Sequence, residues 1–214
     1  MKKAFSLVFA VIFSISTAYS VNTTSIESLR RRTVSAGTEL SSSDIASIEA
    51  FWTTALDQML LAETSLELVE IRRQLEEQKG EGYLSYYASA YISQAAKSIQ
   101  TAFENAQRLD SARQRQIVER NLMILVGNLK GPKLAPIAIQ RLKSEDGVIR
   151  YWAVKSITQP DIVQQLTDEV TGDEELVETI LTSLKDVVAD GTESEIRKMV
   201  IRFCTSFNHP MARE

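Results

Sequence analysis

Residues 134–157 read LAPIAIQRLKSEDGVIRYWAVKSI, and their spacing decides the fold class. Leu134, Ile137, Ala138 and Leu142 recur at steps of one to four residues; the polar break Ser144-Glu145-Asp146-Gly147 follows; then Ile149, Ala153, Val154 and Ile157 repeat the pattern. Apolar residues at that spacing line one face of a helix, so the stretch predicts two short helices packed back to back across a tight turn. Asp146 is placed to cap the second, and Pro136 falls in the first turn of the first, where a missing amide hydrogen does no harm.

The same reasoning extends outward in both directions. No Gly or Pro lies between Gly37 and Gly80, so nothing in that interval strongly breaks a helix. Ile45, Ile48, Trp52, Ala55, Met59, Ala62, Leu66 and Val69 alternate steps of three and four, which predicts one helix from Asp44 to about Gln78, capped by Ser43 or Asp44 and ended by Lys79-Gly80-Glu81-Gly82. A second stripe, Leu84, Ala88, Tyr91, Ala95, Ile99, Ala102 and Ala106, predicts a helix from about Tyr83 to Leu109. Two such helices joined by a Gly-x-Gly turn fold back as a long antiparallel helical hairpin over 44–109, with arms on the order of 40–50 Å.

Beyond it, Asp110 is placed to cap a helix running to about Leu129. Its apolar positions become nearly continuous at Met123-Ile124-Leu125-Val126, implying burial on more than one side. Pro160-Asp161 opens a further short helix. Thr171-Gly172-Asp173-Glu174 and Thr192-Glu193-Ser194-Glu195 have capping-box spacing just upstream of the stripes Leu176, Ile180, Leu181, Leu184 and Ile196, Met199, Val200, Phe203. The expected division is 21–43 as a flexible leader, 44–109 as the hairpin, 110–208 as a helical array and 209–214 as a polar tail.

The first twenty residues read as a secretory signal peptide. Lys2-Lys3 precede an uncharged, mostly apolar run of twelve residues from Ala4 to Ile15, and Ala18-Tyr19-Ser20 offers a small-x-small site. Cleavage after Ser20 or Ala18 predicts a periplasmic or extracellular protein with no membrane span in the mature chain, since a spanning helix needs about 20 apolar residues. The net charge of −4 becomes −6 without Lys2 and Lys3, which argues against nucleic acid as a partner. Cys204 is the only cysteine, so no internal disulfide forms.

Leu142, Asp146, Ile149-Arg150, Ala153 and Ile157 stand where bacterial HEAT-like repeats carry their inter-helix junction, and the unit resembles that family. Ser144 stands where the family often has Asp, and Tyr151-Trp152 is bulkier than its usual pair. The resemblance covers about a tenth of the chain. It implies a short α-solenoid following the hairpin, in an all-α protein, and the usual work of such a solenoid is to bind other proteins; the resemblance does not imply a reaction, and no enzyme is expected.

The remaining candidates for chemistry are weak. His209 is the only histidine and has only Cys204 near it as a second ligand type, while Cys204 itself sits among Val200, Ile201 and Phe203, where an inert thiol is expected; no metal, no cofactor and no catalytic residue is assigned. The acids Asp168, Glu169, Asp173, Glu174, Glu175 and Glu178 lack the alternation and central glycine of a calcium loop. Arg30-Arg31-Arg32 reads as a solvated run. Two aromatic groups remain as candidate binding residues. Arg150, Tyr151 and Trp152 have the composition of an interface hot spot, and Tyr83, Tyr87 and Tyr91 at i, i+4, i+8 line one helix face. The second group supports an alternative reading as a carrier of a small molecule or peptide in a pocket beside those rings.

Overall fold

The structure, a computed structural model, describes residues 21–80, 85–168, 172–189 and 193–206. Signal segment, Tyr83, Leu84, the expected caps Thr171 and Thr192, and His209 with the tail all lie outside these residues. The described chain is all-helical, with no strand: α1 (Thr24–Ala36), α2 (Ser42–Leu61), α3 (Ser65–Glu77), α4 (Tyr86–Ala106), α5 (Ala112–Leu129), a 3₁₀ turn (Pro132–Leu134), α6 (Ala135–Ile139), α7 (Gly147–Thr158), α8 (Pro160–Leu166), α9 (Glu174–Ala189) and α10 (Ser194–Ser206).

The expected single helix over 44–78 is two helices. Ala62 leaves the helical region at φ −61°, ψ 129°, and Thr64 caps α3 with the Glu67 carboxylate returning to the backbone amides of Glu63 and Thr64. The physical reason is a second apolar stripe. In an unbroken helix Leu68, Ile71 and Leu75 would lie about 120–180° around from Met59, at 100° per residue, and would face away from its core. The break re-aims them, leaving all three within 2 % of complete burial, while Leu66 and Val69 of the expected stripe become exposed. Burying such side chains contributes about 1.5–3 kcal/mol each, and the capping box offsets the lost helical hydrogen bonds.

The stretch 21–43, expected as a flexible leader, contains α1, with Val21, Ile26 and Leu29 buried against the rest. The arginine run is drawn in with it. Arg30 donates to the Glu77 carbonyl and Arg32 meets Asp44 at 2.6 Å; Arg31 stays near Glu27 on the surface. Ser41 rather than Ser43 or Asp44 caps α2, with Asp44 serving as its capping-box partner, and Ser111 rather than Asp110 caps α5.

Helix contacts run in pairs and in rows. Consecutive helices α2 and α3, α4 and α5, α6 and α7, and α9 and α10 pack on one another. Across the pairs, α3 packs on α5, α5 on α7 and α7 on α10, while α2 packs on α4, α4 on the 3₁₀ turn and α6 on α9. Helix α5 is thus flanked on several sides, and Val118, Leu122, Met123, Leu125, Val126 and Leu129 are all buried. Helix α1 packs against α2 and α4, and α8 sits among α7, α9 and α10.

Candidate functional site

The row α3, α5, α7, α10 is stitched by side chains that reach from each helix to the next. Arg72 of α3 donates to the Asn121 side-chain oxygen of α5 at 2.7 Å, and Asn128 of α5 returns to Glu76 at 2.8 Å. Arg120 and Gln116 of α5 converge on Asp146, the cap of α7, at 2.7 and 3.0 Å. Arg150 of α7 reaches Glu193 at the start of α10 at 2.7 Å. Burial alone would raise the Asp146 carboxyl, but hydrogen bonds from Arg120, Gln116 and the amides of Val148 and Ile149 outweigh it and hold the group below its ordinary value.

One local device recurs along this row. Arg115 stands four residues after the cap Ser111 and donates to the Leu109 carbonyl; Arg150 stands four after Asp146 and donates to the Ser144 carbonyl, six residues back in both cases. Arg197 holds the same place in α10, its amide bonded to the Glu193 carbonyl. The spacing Ser111-x₃-Arg115, Asp146-x₃-Arg150, Glu193-x₃-Arg197 was present in the sequence but separated by unequal intervals, which hides a repeat.

Three clefts open along the row. The first, about 420 Å³, lies between the starts of α3 and α5, with Leu68, Arg113, Ile117 and Val118 among its lining residues. A second, about 690 Å³, lies between the starts of α5 and α7 and includes Arg113, Glu119 and Asp146. The third, about 440 Å³, lies between α7, α8 and α10 and is lined mainly by carbon, including Tyr151, Val163, Met199 and Phe203. Burial holds Glu119 above the ordinary carboxylate range, with Arg141 and Arg115 opposing. Arg113, Lys155 and Arg202, all at these clefts, meet no carboxylate among the described residues. A smaller cleft of about 270 Å³ lies between α2 and α4.

The aromatic candidates divide. The spacing of Ile149, Ala153 and Ile157 turns Trp152 away from their face, toward a neighbouring helix or outward. Trp152 is half-buried against Gly127 of α5, with the Tyr151 ring edge-on at a centroid separation of 5.9 Å and the Lys155 ammonium 4.0 Å from the Trp152 ring centroid. Tyr151 is half-buried at the third cleft, and Arg150 is occupied by Ser144 and Glu193. Tyr87 and Tyr91 form no open rail. They are 1 % and 0 % exposed, stacked at 5.7 Å, with Trp52 5.0 Å and Phe51 6.4 Å from Tyr91.

Their hydroxyls serve the end of α3. The last carbonyls of a helix lack intrahelical donors, and here Leu75 accepts from the Tyr91 hydroxyl at 2.7 Å, Glu76 from the Lys79 amide at 3.3 Å, Glu77 from Arg30 and Gln78 from the Tyr87 hydroxyl at 3.0 Å. Desolvation pushes Tyr91 well above the ordinary phenol range and Tyr87 likewise. Tyr87 and Tyr91 are thus core residues; Tyr83, the third ring of the expected face, lies outside the described residues.

Sequence reasoning missed Arg113, Lys155, Met199 and Arg202, because each gains its setting from a helix distant in sequence. Cys204 is half-buried, and desolvation raises its thiol above the ordinary value. Among the described residues no three His, Cys, Asp or Glu side chains gather in a metal-holding cluster, and no helix is long and apolar enough to cross a membrane. Comparison with family models, with curated proteins and with solved structures finds no match to this chain.

Proposed function

We propose that the protein is an exported, non-enzymatic helical scaffold that binds another protein along the α3–α5–α7–α10 row, and that this row is a short HEAT-like array preceded by a capping helix. The carrying observation is that three clefts, each combining apolar and cationic lining, open along one row of helices cross-linked end to end by side-chain hydrogen bonds. A face held rigid in this way binds without first paying for its own ordering. The paired and stacked helix contacts support the repeat reading. So does the arginine that recurs four residues after the caps of α5 and α7. Repeat units of this kind bury their apolar faces only by stacking, and the result is an extended surface suited to a protein partner.

The test is position-dependent photocrosslinking in the intact cell. A benzophenone side chain at Arg113, Tyr151 or Lys198 is expected to give adducts with one partner of constant mass, while the same group at Asp57 or Lys97, in the cleft between α2 and α4, gives none. Adducts at all positions alike, or at none, overturn the reading. The N-terminal sequence of material recovered from the periplasm or medium tests export: a start near Val21 is expected, and an intact leader on cytosolic protein contradicts it.

A further inference from the structure

The cleft between α7, α8 and α10 is chemically more specific than the other two. Val163, Met199 and Phe203 give it an apolar floor, and Tyr151 forms a wall. Lys155 and Arg202 border it, and neither meets a carboxylate among the described residues. The one carboxylate in the lining among the described residues, Glu195, faces Lys198 at 3.6 Å.

Lys155 is held in place. Its ammonium lies 4.0 Å from the Trp152 ring centroid and 5.8 Å from that of Tyr151, a cation–π arrangement that fixes the side chain and consumes none of its three N–H donors. Trp152 in turn rests on Gly127, so the position of the charge is set by the packing of α7 on α5. Arg202, exposed on α10, brings a second cation to the same groove. On a chain whose net charge is −4, carboxylates were available to neutralise both.

Resting on the reading of this row as a protein-binding face, we propose that the groove takes a short acidic segment of the partner, with an apolar side chain seated on Val163 and Met199 above the buried Phe203, and carboxylates meeting Lys155 and Arg202. A volume of about 440 Å³ accommodates a few side chains and not a whole helix. Charge complementarity selects the sign of the segment and the apolar floor supplies the burial. Salt screens the first contribution and not the second.

The experiment uses the full chain and three rhodamine-labelled decapeptides, read by fluorescence anisotropy. One interleaves Leu and Phe with Asp and Glu, one replaces each acid by Lys, and one replaces each apolar residue by Gly. Binding of the first is expected, at least tenfold tighter than either of the others and weakened severalfold in 0.5 M salt. The substitution R202E, at a side chain with no carboxylate partner among the described residues, is expected to weaken it at least tenfold, K155E similarly, and M199A severalfold without changing the salt dependence. Circular dichroism melts confirm that each variant is folded. Equal binding of the Lys peptide, an unchanged affinity in R202E, or no binding of the acidic peptide overturns the proposal. Adducts persisting at Arg113 in the photocrosslinking experiment would then leave the broader reading standing while this one falls.

Discussion

Gly127 and Trp152 are in such close contact that a Cβ built on the glycine would stand 2.7 Å from Cε3 of the indole and 3.1 Å from Cζ3. Real side chains do not approach so closely, and a Trp ring wedged between α5 and α7 has no flexible end to give way. G127A gains about 1 kcal/mol of helix propensity, but overpacking costs about 1–3 kcal/mol, and here it also displaces the support beneath Lys155. The expected outcome is a net loss of stability with a lowered melting temperature, together with a change in Trp fluorescence. An unchanged or raised melting temperature would mean that the two helices separate freely.

How much of this was legible in the chain depends on which residues one asks about. The all-helical class followed from periodicity, and the Ala88, Tyr91, Ala95, Ile99, Ala102 and Ala106 stripe of α4 is buried throughout. The α2–α3 break did not follow, because Thr64-Ser65-Leu66-Glu67 carries a capping signal without any Gly or Pro, and one stripe runs straight across it. Two overlapping stripes in one segment cannot both face one core, and only the tertiary contacts choose between them. The tyrosines were legible as a helical face, but their hydroxyls needed the end of α3, whose position the sequence places elsewhere. The groove cations were illegible for a similar reason: Lys155 and Arg202 are 47 residues apart in number and neighbours only through the packing of α10 on α7.

Asp146 offers a pH-dependent test. Its carboxyl is depressed in the folded protein, so its contribution is fully present above the ordinary value of 3.8 and is lost as pH falls through the lower folded value. D146A removes a helix cap and the acceptor for Arg120 and Gln116, and is expected to cost about 1–2 kcal/mol at neutral pH. D146N keeps an acceptor oxygen for the cap but gives up the charge. Its urea midpoint is expected to lie between those of the wild type and D146A at pH 7, and the gap to wild type to narrow below about pH 4. A gap that stays constant with pH would show that the charge contributes nothing.

Tyr87 and Tyr91 titrate in the opposite sense. Both phenols are raised above their ordinary value of 10.0 by burial, so the fold favours their neutral form, and stability is complete below that value and declines as pH climbs past it. Ultraviolet titration is expected to show two tyrosines that ionise only with unfolding. Y91F should be destabilised by about 1–2 kcal/mol, since the Leu75 carbonyl loses its donor in a buried setting, and the variant should leave one such resistant tyrosine. Smooth ionisation of every tyrosine near pH 10 in the folded protein would contradict the burial of both rings.

Arg150 separates a structural arginine from a surface ion pair. It donates to the Ser144 carbonyl at 2.7 Å, closing the turn before α7, and to Glu193, whose side chain is 55 % exposed. An exposed pair contributes about 0–1 kcal/mol, whereas a charged donor to a half-buried carbonyl contributes about 1.5–3 kcal/mol. E193Q is therefore expected to change stability by less than about 0.5 kcal/mol, and R150M to cost about 1–3 kcal/mol. R150K should fall between wild type and R150M, because one ammonium can still donate to the Ser144 carbonyl but lacks the guanidinium fork that spans both acceptors. Urea unfolding of the three variants measures this order, and an E193Q loss equal to that of R150M would shift the role of Arg150 from closing the turn to joining α7 with α10.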